Sequence, residues 1–160
     1  MKLANERIEY FQSPLGLLKI TVKHDKLISI QYCKENEKNN IENKNISIID
    51  DIKTQLREYF NKERRVFALP LKIEGTQFQK DVYKTLQEIE YGEVVSYKNL
   101  AERSGHPKAY RAVGTALKNN KTPIIIPCHR VVKTDNTLGN YNGGVWRKEK
   151  LLQLENSNFF

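Results

Sequence analysis

Short apolar runs at residues 8–11, 17–22 and 27–32 predict three strands, the first two joined by Ser13-Pro14-Leu15-Gly16, with proline and glycine where a type I turn favours them. Together they make an antiparallel meander. Residues 34–45 are almost wholly polar and rich in asparagine, a composition that buries nothing and predicts a loop. After Ser47, the residues Ile48, Ile49, Ile52, Leu56, Tyr59 and Phe60 recur at helical spacing, one apolar stripe on a helix that covers the sheet. The expected product is a small α/β N-terminal domain over residues 1–74.

Residues 69–75 read as an extended connector, and Thr76-Gln77-Phe78-Gln79 has the reciprocal capping-box spacing that starts a helix. Phe78, Val82, Leu86 and Ile89 share one face of that helix, which Tyr91-Gly92 terminates. Ser96 caps a further short helix through Arg103, Gly105 stops it, and Pro107 opens the next, which runs to about Lys118. Two helices joined by a glycine turn predict a helix-turn-helix in a mainly helical, winged-helix-like C-terminal domain over residues 75–160. In such a motif the second helix meets the nucleic acid. Here it carries Lys108, Tyr110, Arg111 and Lys118, with small Ala109, Ala112, Gly114 and Ala116 between them to permit close approach. The same spacing also fits a plain helix pair in a bundle. Trp146, Leu151, Leu152 and Leu154 predict a closing helix packed on the core.

The 160 residues suffice for two compact halves, and 39% hydrophobic with 29% charged residues is a globular composition. No apolar run approaches membrane length, and the N-terminus meets charge before any apolar core develops. The expected location is therefore the cytoplasm, or the nucleus in a eukaryotic cell, with Cys33 and Cys128 as reduced thiols. The net charge of +8 is unevenly spread. Lys98, Arg103, Lys108, Arg111, Lys118, Lys121, Arg130 and Lys133 lie between Ser96 and Lys133 against the single acid Glu102. Such a stripe suits a phosphate backbone, and it equally describes a solvated face in a lysine-rich protein.

Candidate chemistry centres on Ile124-Ile125-Ile126-Pro127-Cys128-His129-Arg130-Val131-Val132, where a cysteine stands between proline and histidine inside a β-branched run. One reading is an inert buried thiol; the other is a sulfur nucleophile with a proton acceptor beside it. Pro123 and Pro127 bracket the apolar residues and fix the approach of a cysteine-bearing strand. Tyr141-Asn142-Gly143-Gly144 offers a loop over a pocket, with glycines for close backbone approach.

These segments carry a resemblance to the O6-alkylguanine-DNA alkyltransferases, also called methylated-DNA–protein-cysteine methyltransferases. The resemblance covers residues 75–155 through Tyr91-Gly92-Glu93-Val94-Val95-Ser96-Tyr97, Arg111-Ala112-Val113-Gly114, the Ile126 to Val132 segment and Gly139-Asn140-Tyr141-Asn142-Gly143-Gly144. The N-terminal unit is similar to the family's ribonuclease-H-like domain through Ser13-Pro14-Leu15-Gly16 and its layout. The resemblance implies a single-turnover enzyme that takes the alkyl group of O6-alkylguanine in double-stranded DNA onto Cys128 and keeps it as a thioether. O4-alkylthymine is a further candidate substrate. It further implies His129, oriented by Glu155, as the base that deprotonates Cys128 through water, and Tyr97 as a hydrogen-bond donor to the base. Asn120 bridges the recognition segment to the nucleophile. Arg111 is the finger that fills the space of an extruded base, on a helix whose Lys108, Ala109, Tyr110 and Gly114 face the minor groove. Pro123, Val131, Tyr141, Asn142 and Gly143 are implied around the base. Many relatives have serine at position 142, where a backbone contact would survive the asparagine. Without the resemblance, Glu155 reads as a helix-end surface acid, Asn120 as a helix cap, Tyr97 as a packed tyrosine and Arg111 as a phosphate contact. Some members carry zinc in the N-terminal domain, but His24 and Cys33 lack paired-ligand spacing, so neither metal nor cofactor is expected. The expected state is a monomer, with cooperative binding along DNA left open.

Three rivals frame the expectation. A non-enzymatic sensor of alkylated DNA would keep the fold and replace the nucleophile, which Cys128 argues against. A helix-turn-helix regulator leaves the cysteine motif unexplained. A cysteine hydrolase needs an oxyanion loop that the sequence does not offer.

Overall fold

Strands β1 (Glu6–Ser13), β2 (Gly16–Lys23) and β3 (Lys26–Cys33) pair antiparallel in the order β1-β2-β3. Each prediction falls inside its strand. The register Ser13↔Gly16 leaves Pro14 and Leu15 as the first hairpin loop, with Gly16 at φ 121, and Lys23↔Lys26 leaves His24 and Asp25 as the second. Both His24 (φ 52) and Asp25 (φ 58) are left-handed, the twist that a two-residue hairpin loop requires. The structure is a computed structural model that describes residues 6–38 and 47–156. A 3-10 turn, Glu35–Glu37, occupies part of the expected polar loop between Lys34 and Lys38, and residues 39–45 lie outside the described residues.

Helix α1 (Ser47–Phe60) lies against β1 and buries Ile48, Ile49, Ile52, Leu56 and Tyr59. Ile52 and Leu56 are wholly inaccessible, which is worth roughly 1.5–3 kcal/mol for each side chain. The connector docks on the edge of β3: Leu27 N–H donates to Pro70 O at 2.8 Å and Lys72 N–H to Leu27 O at 3.0 Å. The chain divides into two compact units at this connector, Met1–Ile73 and Glu74–Phe160.

In the second unit, helix α2 (Gln77–Glu88) begins with the expected capping box. Gln79 N–H donates to Thr76 Oγ1 at 3.1 Å, and Thr76 N–H to Gln79 Oε1 at 3.0 Å. The helix ends at Glu88, before the predicted Tyr91-Gly92. Ile89 turns extended there and drives its side chain into the core. Strand β4 (Val95–Ser96) leads directly into α3 (Tyr97–Arg103), whose cap is Ser96 Oγ accepting from Asn99 N–H at 3.0 Å.

Helix α4 (Tyr110–Lys118) starts three residues later than Pro107. The delay has a cause. His106 N–H closes the end of α3 on Ala101 O, and Ala109 N–H returns to His106 O, both at 2.9 Å, so Pro107 and Lys108 form a turn. Once begun, α4 buries Val113, Ala116 and Leu117 at helical spacing and leaves Arg111, Thr115 and Lys118 exposed. The 3-10 turn Cys128–Arg130 then leads into β5 (Val131–Val132), and α5 (Val145–Glu155) closes the unit. Helix α5 buries Leu151 and Leu152, with Leu154 at intermediate exposure. Trp146 instead of packing on the core is 52% exposed, stacked under Arg147 at 4.5 Å. None of the helices in the described residues is long and apolar enough to cross a membrane.

Candidate active site

The isoleucines before Cys128 do not form the extended strand that their β-branched side chains suggest. Ile124 sits at φ 76, a left-handed conformation costly for a β-branched residue, and Ile126 N–H closes a turn on Thr122 O at 2.9 Å. Asn120 holds this turn shut. Its Nδ2 donates to Ile126 O at 2.8 Å while its Oδ1 accepts from Thr122 N–H at 3.0 Å. Pro127, at φ −82 and ψ 66, is the centre of an inverse γ-turn in which Cys128 N–H donates to Ile126 O at 2.8 Å. Nine consecutive residues, 122–130, are buried here, an over-determined setting that can hold one strained residue.

Pairing of β4 with β5 brings the second element of the site alongside. The parallel register Val95↔Val131 and Ser96↔Val132 places Tyr97, the next residue, beside the segment that carries Cys128. Cys128, only 7% exposed, lines a cavity of about 920 Å³. Tyr97, Tyr110, Gly114, Tyr141 and Asn142 share its wall with the cations Lys98, Lys108, Arg111, Lys118 and Lys133 and, among the described residues, with no carboxylate. The Asn142 side chain donates to Lys118 O, tying the Tyr141-Asn142 loop to the end of α4. Gly139 (φ 73) supports the wall, since a Cβ there would come within 2.6 Å of the Tyr97 hydroxyl.

Behind the sulfur lies a closed polar cluster. His129 Nε2 meets Glu155 Oε2 at 2.6 Å, and Arg130 grips the same carboxylate through Nε to Oε1 at 2.8 Å and Nη2 to Oε2 at 3.0 Å. Gly92 N–H also donates to Oε1, at 3.2 Å, and Arg130 Nη1 donates to Ile89 O at 2.7 Å. Burial pushes the Glu155 carboxyl up, but His129 and Arg130 outweigh it and hold it well below the usual carboxylate range. An ionised Glu155 fixes the His129 tautomer, with the proton on Nε2 and a lone pair on Nδ1. That Nδ1 is buried and has no hydrogen-bond partner among the described residues.

Burial pushes the Cys128 thiol up; a hydrogen bond from the Asn120 side chain, the positive charge of Lys148 and its own backbone N–H oppose that shift. Burial, with the charge of Cys128 adding to it, also raises Tyr97, against a backbone hydrogen bond from Asn140, so Tyr97 is a neutral donor at physiological pH. Among the described residues, no three His, Cys, Asp or Glu side chains gather as a metal would require.

The sequence-derived candidates thus fall into distinct places. Cys128, Tyr97, Lys108, Tyr110, Arg111, Gly114, Tyr141 and Asn142 meet at the cavity, while His129, Glu155 and Asn120 support the cysteine from behind. Pro123, Val131 and Gly143 are buried and Ala109 is half-exposed, and none of the four is on the cavity wall. Arg130, counted in the basic stripe, is buried and neutralised by Glu155, whereas Arg103 pairs with Glu93 and Lys121 with Glu74. Two contributors escaped the sequence reading: Arg130 as the clamp on Glu155, and Lys148, a wholly buried lysine on the first turn of α5. Nothing in the spacing of Lys148 distinguishes it from its exposed neighbours.

A buried thiol on the wall of a cation-lined cavity, with a histidine–carboxylate couple next to it in the chain and a helix-turn-helix adjoining, fits a nucleic-acid-directed thiol chemistry. Comparison with known proteins agrees. Residues 7–73 match the ribonuclease-like domain, and residues 77–157 the DNA binding domain, of 6-O-methylguanine DNA methyltransferase, and the chain belongs to this family. It is 40% identical over 150 residues to the methylated-DNA–protein-cysteine methyltransferase of Haemophilus influenzae, covering 91% of this chain and 84% of that protein. The constitutive enzyme of the same name from Bacillus subtilis is 40% identical over 151 residues, 90% of this chain and 92% of its own. A crystal structure of the Mycobacterium tuberculosis protein in complex with DNA superposes with a TM-score of 0.84 at 36% identity, covering 94% of this chain and 92% of that one.

Proposed function

We propose that this protein repairs alkylated DNA directly, by moving the alkyl group from guanine O6 to the sulfur of Cys128 in a single, irreversible turnover. The observation that carries this reading is the position of Cys128 on the wall of a cavity of about 920 Å³, beneath a rim of cations and in front of the buried His129–Glu155 couple. The volume is that of a small-molecule pocket. A base stacked in a duplex cannot reach a sulfur 7% exposed, so the damaged nucleotide is rotated out, with Arg111 on the exposed face of α4 taking its place.

The chemistry follows from the groups in place. His129 Nδ1 takes the thiol proton through a bridging water while Glu155 stabilises the imidazolium that forms. The thiolate attacks the alkyl carbon; the S–C bond forms as the C–O6 bond breaks, and the electron pair leaves with the guanine. The Tyr97 hydroxyl, neutral and on the cavity wall, donates to the departing base. The product is a thioether, which has no thiolate to regenerate. Lys98, Lys108, Lys118 and Lys133 hold phosphates on either side of the lesion, and such contacts orient the duplex without reading its sequence.

Cys128→Ser tests the assignment. The variant should bind a duplex containing O6-methylguanine as the parent does and transfer none of its methyl; transfer persisting in the variant would show that another residue is the acceptor.

A further inference from the structure

Lys148 is wholly buried, and its surroundings are not those of a structural lysine. Its Nζ donates to Asn140 O at 3.3 Å and stands 5.7 Å from the centre of the Tyr97 ring, two neutral partners. No carboxylate of the described residues forms an ion pair with it; Glu155, on the same helix, is committed to His129 and Arg130. A buried ammonium costs several kcal/mol of desolvation unless an anion answers it. Asn140 and Tyr97, which hold it, share the cavity wall with Cys128, and the anion whose charge reaches it is the Cys128 thiolate.

We propose that Lys148 is the electrostatic partner of the Cys128 thiolate, an ammonium moored by the Asn140 carbonyl and the Tyr97 ring that holds the sulfur's negative charge until alkylation removes it. The inference rests on Cys128 being the nucleophile. It divides the work: His129 receives the proton, and Lys148 stabilises the charge left behind. When sulfur bonds to the alkyl carbon and guanine takes the electron pair, the ammonium faces a neutral thioether and loses its counter-charge.

The surrounding ionisable groups leave this role to Lys148. Tyr83 on α2 and Tyr97 on α3 both feel the charge of Cys128, and both are neutral at physiological pH, Tyr83 being pushed up to about 12 by burial and by that charge. On the cysteine's own turn, the Arg130 guanidinium is neutralised by Glu155, which also meets His129. The cavity cations Lys98, Lys108, Arg111, Lys118 and Lys133 belong to exposed residues, where solvent screens them. Burial lowers Lys148 to about 8 and the thiolate opposes that shift, so the two groups titrate as one coupled pair.

The test is the pH dependence of iodoacetamide alkylation, read by mass on the Cys128 peptide so that Cys33 does not contribute. An opposite charge beside a thiol lowers its pKa by roughly 1–3 units. Lys148→Met should therefore move the rising limb of the profile at least one unit higher, and slow alkylation at pH 7 about 10-fold or more. Its melting temperature should not fall, since a hydrophobe replaces an ion of similar length. A limb that stays in place, whatever the rate, overturns the inference. Should Lys148→Met not fold, the parent protein labelled at the lysine ε-carbons supplies the second measurement by NMR titration. The Lys148 signal should titrate at lower pH after Cys128 is alkylated, and an unchanged titration overturns the pairing. Iodoacetamide needs neither DNA nor a guanine, so these outcomes are independent of methyl transfer, whose failure would remove the proposed function alone.

Discussion

Glu155→Gln isolates the cluster behind the cysteine, and its effect can be worked from the contacts. Among the described residues the carboxylate receives Arg130 Nε and Gly92 N–H on Oε1, and His129 Nε2 and Arg130 Nη2 on Oε2. Glutamine keeps one acceptor oxygen and turns an NH₂ toward the other pair of donors, leaving the buried Arg130 charge without its anion. Removing one partner of a buried pair costs about 3–5 kcal/mol. In the C-terminal unit, where each kcal/mol shifts the midpoint roughly 4–8 °C, that is a fall of at least about 12 °C. The pH dependence has a definite sign. Glu155 is depressed in the folded state, so its contribution is fully present above the ordinary carboxylate value of 4.5 and is lost as pH falls through the depressed one. Urea unfolding followed by circular dichroism between pH 7 and 3 should show the parent losing stability below about pH 4.5 and Glu155→Gln losing less. His129 would also lose the partner that sets its tautomer, so iodoacetamide labelling of Cys128 at pH 7 should slow. A variant within about 1 kcal/mol of the parent, with unaltered labelling, would refute the reasoning, because the penalty of an unpaired buried charge would then be absent.

Other consequences are more local. Arg111→Ala should slow methyl transfer from duplex DNA far more than reaction with free O6-benzylguanine, since only the duplex demands extrusion; equal slowing in the two assays would remove the finger role. Gly139→Ala places a methyl 2.6 Å from the Tyr97 hydroxyl, so single-turnover rates should fall while duplex affinity, measured by fluorescence anisotropy, stays within about 3-fold, which is under 1 kcal/mol. Unaltered rates would show that the Tyr97 hydroxyl does not contribute to catalysis.

How far the sequence reveals this molecule depends on the range of the interaction involved. Thr76 and Gln79 sit three residues apart and satisfy each other, so the start of α2 is legible from spacing alone. The hairpin at Pro14 and Leu15 is legible for the same reason. The Ile124 to Ile126 segment is not, because three β-branched residues favour extension and only the side chain of Asn120, together with the inverse γ-turn at Pro127, bends them into a turn. The start of α4 is not legible, because Pro107 fits the first turn of a helix and equally a β-turn; the bond from Ala109 to His106 decides between them. At the site, Cys128, His129 and their neighbours stand out by local context. Arg130 and Lys148 do not. An arginine inside a basic stretch reads as a surface charge, and its burial follows only from Glu155 arriving 25 positions later. Trp146 errs the other way, since a lone tryptophan on a helix with buried leucines suggests core and is instead stacked outside under Arg147.

The central claim is that the sulfur of Cys128 receives the alkyl group once and keeps it. Intact-mass measurement of the protein after incubation with excess duplex containing O6-methylguanine, followed by peptide mapping, tests it most directly. The expected result is a gain of one methyl per chain, located on Cys128, with repair halting at one lesion per protein molecule. An unmodified protein beside repaired DNA, or a methyl on any other residue, would contradict it.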